Sequence, residues 1–219
     1  MKKKSLILLT VTLAASLTAA ACAPSQDKGQ QSAPVQEQTQ KQIKQWDQPP
    51  AMQIDPNKTY IAHVETNKGT FSIELFAKDA PKTVNNFVFL AKEKFYDNVI
   101  FHRIIRDFMI QTGDPLGNGT GGPGYRFEDE LPSKHKYEEG IVAMANSGAN
   151  TNGSQFFIGN GKGVEGLNSQ PNYTIFGKIT EGMDTVKAIS NTPVAQNPSG
   201  EFSSPIEKVF IKTVTIEEK

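Results

Sequence analysis

Apolar and polar positions change rhythm several times along the 219 residues. Ile61-Ala62-His63-Val64-Glu65-Thr66 and Thr70-Phe71-Ser72-Ile73-Glu74-Leu75-Phe76 alternate with period two, which sends every second side chain to one face of a strand. Asn67-Lys68-Gly69 lies between them, so the pair reads as a hairpin. The period then lengthens. Val84, Phe87, Val88 and Ala91 recur at helical spacing behind Asp79 and Pro81, which predicts a helix to about Lys94 with one face packed inward. Strand-like runs follow at 100–105, 141–145, 155–158, 173–179 and 208–216, with a brief helix over 183–190 after Gly182. Short strands, few helices and Gly-rich connections favour a closed barrel or a sandwich. There is no internal repeat.

The first 57 residues have no such rhythm. Lys2, Lys3 and Lys4 form a basic start, and an uncharged, mainly apolar run extends from Ser5 to Ala21. It ends in small residues before Cys22, the pattern of a secretory signal peptide over 1–21. A retained membrane anchor is the alternative, but the run is marginal for a full span and rich in Ala and Thr. From Ala23 to about Asn57, Gln, Ser, Pro, Lys and Asp dominate, and Val35, Ile43, Trp46 and Met52 stand isolated. Such a stretch buries too little surface to offset its ordering entropy, so 22–57 reads as a flexible tether, with a solvated Trp46 as the default and a Trp46 docked onto the domain as the alternative. As a coil it spans roughly 35 Å. The folded domain is expected over 58–219.

Charge excludes more than it suggests. Basic and acidic residues number 23 each, so nothing draws the chain to nucleic acid. Without Lys2, Lys3 and Lys4 the chain is net acidic, and membrane attachment would depend on acyl chains rather than basic charge. Cys22 is the sole cysteine, which rules out an intramolecular disulfide. His63 and His135 have no companions that suggest a metal site.

Three stretches are far more specific than the general pattern. They are Phe101-His102-Arg103-Ile104-Ile105, residues 108–114 (Phe108 to Asp114), and residues 144–157 (Met144 to Phe157). With Asn118-Gly119-Thr120-Gly121-Gly122, Phe176-Gly177-Lys178 and Glu181-Gly182-Met183, the chain resembles the cyclophilins from about Lys58 to Lys219, in the family's order. The resemblance implies an eight-stranded antiparallel closed barrel capped by two helices, with the site on the barrel's outer face. It implies peptidyl-prolyl cis/trans isomerase activity without a cofactor or metal, acting on proline-containing polypeptides; the oligomeric state stays open, with a monomer as the default. Carried across residue by residue, Arg103 matches the catalytic arginine, with Gln111 and Asn146 beside it. Phe108, Met109, Phe157 and Leu167 match the pocket for the substrate proline, and Tyr173 the residue that closes it. Ala145, Ser147 and Gln155 match positions that hold the peptide. Cys22 resembles the lipobox cysteine of bacterial lipoproteins, although Ala19 stands where Leu is usual. That implies a lipid anchor on the extracytoplasmic face of a cell membrane; a plain secreted protein with an incidental Cys is the other reading.

The chemistry accounts for these residue types. Rotating an X-Pro amide means crossing a barrier of about 18–20 kcal/mol, and no bond breaks, so no nucleophile or titrating pair is needed. A donor aimed at the prolyl nitrogen helps mainly in the twisted transition state, where the nitrogen lone pair is freed. An arginine stays charged and offers several fixed donors. One charge-assisted hydrogen bond contributes about 1.5–3 kcal/mol. Five decades of acceleration need roughly 7 kcal/mol, so the pocket and the backbone grip must supply the rest. Alternation in Gln155-Phe156-Phe157 puts the two Phe on opposite faces, one for the core and one for the site. By the same logic His102 faces away from Arg103 and is structural.

Gly117-x-Gly119-x-x-Gly122 matches a dinucleotide fingerprint, but Pro123-Gly124 follows where a helix must begin, so a nucleotide site is not expected. Compared with the best-known eukaryotic cyclophilins, Gly166 stands where Trp is usual and Tyr173 where His is usual. The loop Asn168-Ser169-Gln170-Pro171-Asn172 is about two residues longer. Activity should survive these changes, with weak cyclosporin binding. The competing function is a prolyl-peptide binding module or holdase whose turnover is incidental.

Overall fold

The computed structural model describes residues 43–219. The expected signal peptide, the acylated Cys22 and the first part of the tether lie outside the described residues. Ten strands form: β1 (Tyr60–Thr66), β2 (Gly69–Leu75), β3 (Arg103–Ile105), β4 (Met109–Thr112), β5 (Ile141–Met144), β6 (Phe156–Gly159), β7 (Ile175–Glu181), β8 (Val194–Gln196), β9 (Phe202–Pro205) and β10 (Ile211–Glu218). Two α-helices, α1 (Pro81–Lys92) and α2 (Met183–Ser190), are joined by a 3-10 helix over Lys162–Ser169.

Eight strands make one antiparallel sheet in the order β10-β1-β2-β7-β5-β6-β4-β3. The sheet curls into a half-barrel, which corrects the expected closed barrel. Its edge strands β3 and β10 do not pair. The chain just ahead of β3 meets only the start of β10 and the residues before it, through the isolated bridge Ile100–Phe210 and the bonds Phe101 N to Val209 O and Ile211 N to Val99 O, each 2.9 Å. The contact ends where β3 begins, and the three residues of β3 pair on one edge only, with β4. The 3-10 helix, strand β4 and the β8–β9 hairpin are likewise additions to the runs read from the pattern.

The concave face holds the core. Phe87, Tyr96, Phe156 and Phe176 meet at centroid distances of 5.2–6.2 Å, mostly edge-on or tilted. Such ring arrangements stabilise by about 0.5–1.5 kcal/mol per pair beyond their buried area. Helix α1 delivers Phe87 from the face that Val84, Val88 and Ala91 define. Its start has no local side-chain cap. The carboxylate of Glu130 accepts from Lys82 N (3.0 Å), Thr83 N (2.8 Å) and Thr83 Oγ1 (2.7 Å), satisfying donors that every helix leaves open.

The segment 43–57, expected as solvated tether, lies against the domain. Trp46 packs edge-on to Phe89 at 5.1 Å and on Phe95 at 5.9 Å, while its backbone N–H donates to Pro123 O at 2.8 Å. Ile54 is buried. The buried amide of Asn85 receives Gln53 N (2.8 Å) and Ile54 N (3.3 Å) and donates to Ala51 O (3.0 Å) and Pro50 O (3.3 Å). One side chain of α1 thus satisfies four backbone groups of a segment that has no ladder of its own.

Candidate active site

The outer face of the sheet carries a second apolar cluster, separate from the core. Met109, Tyr137, Ile141, Ala143, Phe157, Val164 and Ile175 are buried in it, and Phe108, Ala145, Leu167 and Tyr173 pack against it half-buried. Strand pleat decides the membership. Phe156 faces inward with no exposure, and Phe157 faces outward into this cluster.

Register aligns the polar groups with the hollow. Arg103 pairs with Gln111 across β3 and β4, and Gln111 with Phe157 across β4 and β6, so the three form a row on one face. The Arg103 guanidinium reaches off that row toward Met109, whose sulfur lies 3.7 Å from Nη1. Its other edge makes a forked ion pair with Glu201 on the β8–β9 hairpin, Nε to Oε2 at 2.6 Å and Nη2 to Oε1 at 2.7 Å. This pair holds the Glu201 carboxyl below its usual range, the hydrogen bond from Arg103 being the main cause. Opposite, Phe157 meets Tyr173 edge-on at 5.5 Å. Tyr173 is clamped through its backbone, because the buried Tyr137 hydroxyl donates to Tyr173 O (2.6 Å) and accepts from Tyr173 N (3.0 Å). Burial pushes the Tyr137 phenol upward, so it stays a hydroxyl that can serve both bonds.

The polar wall is a relay of amides. Gln111 Nε2 donates to Gln155 Oε1 (3.0 Å), and Gln155 Nε2 donates onward to Gly119 O (3.0 Å) and Gly121 O (2.9 Å). Ala145 N donates to Gln155 O (2.9 Å), Asn146 Nδ2 to Asn172 O (3.0 Å), and Ser147 N to Thr151 Oγ1 (2.9 Å). Asp129 anchors the outer loop by accepting from Asn150 N (2.7 Å) and Asn152 Nδ2 (2.8 Å). Gln111, Ala145, Asn146, Ser147, Thr151 and Gln155 line a cavity of about 830 Å³ that adjoins the apolar hollow. Gln45 also lines it, so the N-terminal segment reaches the site's rim.

Eleven site residues were expected, and the structure gathers all of them on this face, five in or against the apolar hollow and five lining the cavity, with Arg103 between them. His102 points elsewhere. Its ring nitrogens are buried without partners, and burial lowers its pKa. Glu201 was missed, since no local motif links a carboxylate 98 positions downstream to Arg103. The segment 117–124 is loop rather than the start of a helix. No group of three or more metal-ligating side chains occurs among the described residues.

Residues 61–216 match the family model described as cyclophilin type peptidyl-prolyl cis-trans isomerase. The chain is 43% identical over 161 residues to "Peptidyl-prolyl cis-trans isomerase-like 3" of Gallus gallus, covering 70% of this chain and 93% of that protein. It is 42% identical over 179 residues to "Peptidyl-prolyl cis-trans isomerase A" of Mycobacterium tuberculosis, covering 74% and 94%. A crystal structure of a Cryptosporidium parvum cyclophilin type isomerase in the presence of the dipeptide Ala-Pro superposes with a TM-score of 0.63 at 38% identity, over 73% of this chain and 99% of the other.

Proposed function

Since the chain belongs to the cyclophilin family of peptidyl-prolyl cis-trans isomerases, we propose that it turns X-Pro bonds with Arg103 as the catalytic donor and the outer-face hollow as the proline pocket. Phe108, Met109, Phe157, Leu167 and Tyr173 would hold the ring, removing its apolar surface from water. Gln111, Ala145, Asn146, Ser147 and Gln155 would grip the flanking peptide and fix one side of the rotating bond. Arg103 Nη1 then meets the prolyl nitrogen as it pyramidalises. That bond is available to the twisted amide and not to either planar form, so it lowers the barrier instead of merely tightening binding.

The single observation that carries this reading is the Nη1 edge of Arg103, turned away from Glu201 and reaching only the Met109 sulfur, at 3.7 Å, at the lip of the hollow. The test is a proline-isomerisation assay on an X-Pro peptide. Arg103→Ala should lower kcat/KM by about 10- to 150-fold, the scale of one charge-assisted hydrogen bond. Retention of parental turnover in that variant refutes the role.

The cellular setting belongs to the same proposal. A basic start, an apolar run and small residues before Cys22 support export and diacylation, leaving the enzyme on the extracytoplasmic face of a membrane where it acts on exported chains. Two acyl chains suffice for stable attachment where one does not. The full-length protein should fractionate with membranes and Cys22→Ala should not; equal partition of the two refutes the anchor.

A further inference from the structure

Arg103 carries five donors, and the outer-face hollow needs only those on Nη1. The opposite edge of the guanidinium is occupied. Nε and Nη2 each meet one oxygen of the same carboxylate, at 2.6 and 2.7 Å, the planar fork that arginine forms with acids. Both partners are only about a third exposed. Resting on the reading of Arg103 given above, we propose that Glu201 is a positioning residue for the isomerisation, locking the guanidinium so that Nη1 faces the prolyl nitrogen.

The carboxylate is itself held by a built turn. Asn197 Oδ1 accepts from Glu201 N (3.0 Å), Ser199 N (3.0 Å) and Ser199 Oγ (2.8 Å), and Asn197 N donates to Glu201 O (2.8 Å). Gly200 sits at φ +88°, a conformation that a side chain resists. Asn197 Nδ2 reaches Ser203 Oγ at 3.3 Å, tying the turn to a buried residue of β9. A casual surface ion pair needs none of this support. A long flexible arginine without a partner would have to surrender its rotamer freedom on the way to the transition state, and Glu201 removes that cost beforehand. Because Glu201 takes the edge away from the hollow, it does not compete with substrate for Nη1.

The experiment is steady-state isomerisation of an X-Pro peptide by the full-length chain, with kcat and KM resolved, for Glu201→Ala, Glu201→Gln, Arg103→Ala and the double variant. Glu201→Ala should lower kcat about 5- to 30-fold while KM moves by less than about twofold, since the guanidinium acts in the transition state. The isosteric Glu201→Gln, which keeps the turn and one acceptor, should recover part of the loss. In the Arg103→Ala background, Glu201→Ala should cost nothing further, because the two residues act as one unit. Unchanged or faster turnover in both Glu201 variants overturns the positioning role alone, provided Arg103→Ala is impaired. A loss of equal factor in both backgrounds also overturns it, since Glu201 would then act without Arg103. Parental turnover in Arg103→Ala overturns the reading of Arg103 and this inference with it.

Discussion

The N-terminal segment offers the most direct test of the structure. Trp46 is half-buried, with Phe89 edge-on at 5.1 Å and Phe95 tilted at 5.9 Å. Truncating it to Ala removes two ring contacts, each contributing about 0.5–1.5 kcal/mol, but keeps the N–H bond to Pro123. A fully buried Trp would cost about 3–5 kcal/mol on truncation, so a half-buried one should cost about 2 kcal/mol. For a domain of this size that corresponds to a fall in Tm of roughly 4–8 °C. Thermal unfolding of the full-length chain, followed by far-UV circular dichroism, measures the shift, and Trp46→Phe should recover most of it. Trp46 is the only tryptophan, so native emission should also be blue-shifted and move red on unfolding. A Tm change under about 1 °C, or native emission typical of indole in water, would refute the docking of residues 43–57.

Tyr137→Phe should lower stability by about 1–3 kcal/mol in urea titration, because both backbone groups of Tyr173 lose their buried partner; KM should rise as the edge of the hollow loosens. Asp79 is held below the usual carboxyl range, first by its hydrogen bond with Lys134 and then by that with His135. A depressed carboxylate adds stability that is complete above its unfolded value near 4 and drains away as pH falls through its folded value. Asp79→Asn should therefore flatten the acid limb of the stability profile below about pH 4, and an unaltered limb counts against the pair. At Gly166 a Cβ would meet nothing within 4 Å, so Gly166→Trp should be accommodated. It should tighten cyclosporin binding by about tenfold or more through ring area and an added N–H donor, as read by calorimetry.

Legibility in the sequence followed how local each cause is. The β1–β2 hairpin and α2 emerge where their rhythm and turn residues predict. Helix α1 stops two residues before the expected end, and Lys94 turns to φ +58°. Strands β8 and β9 have three and four residues, with a proline and no clear alternation, so nothing periodic announces them. The open seam of the sheet depends on which distant edges meet, which no window of residues encodes. The composition of 43–57 speaks only for what the segment buries by itself. It leaves out the surface waiting on α1, where Asn85 passes for a polar-face residue yet is buried. The residues that gather on the outer face were read from motif order. Glu201 belongs to none of those motifs.

The borrowed cap on α1 bears on how the molecule comes together. The carboxylate that closes the helix's first turn lies 47 residues beyond Thr83 in the chain. A twelve-residue helix is marginal in water even when properly capped. A growing polypeptide that has emerged only as far as β4 still lacks this plug, so its helix stays frayed at the start. The plug arrives beside Asp129, which fastens Asn150 and Asn152, so the helix is sealed and the wall of the reaction cleft is pinned within a single dipeptide. The start of α1 and the outer loop thus depend on two adjacent residues, Asp129 and Glu130.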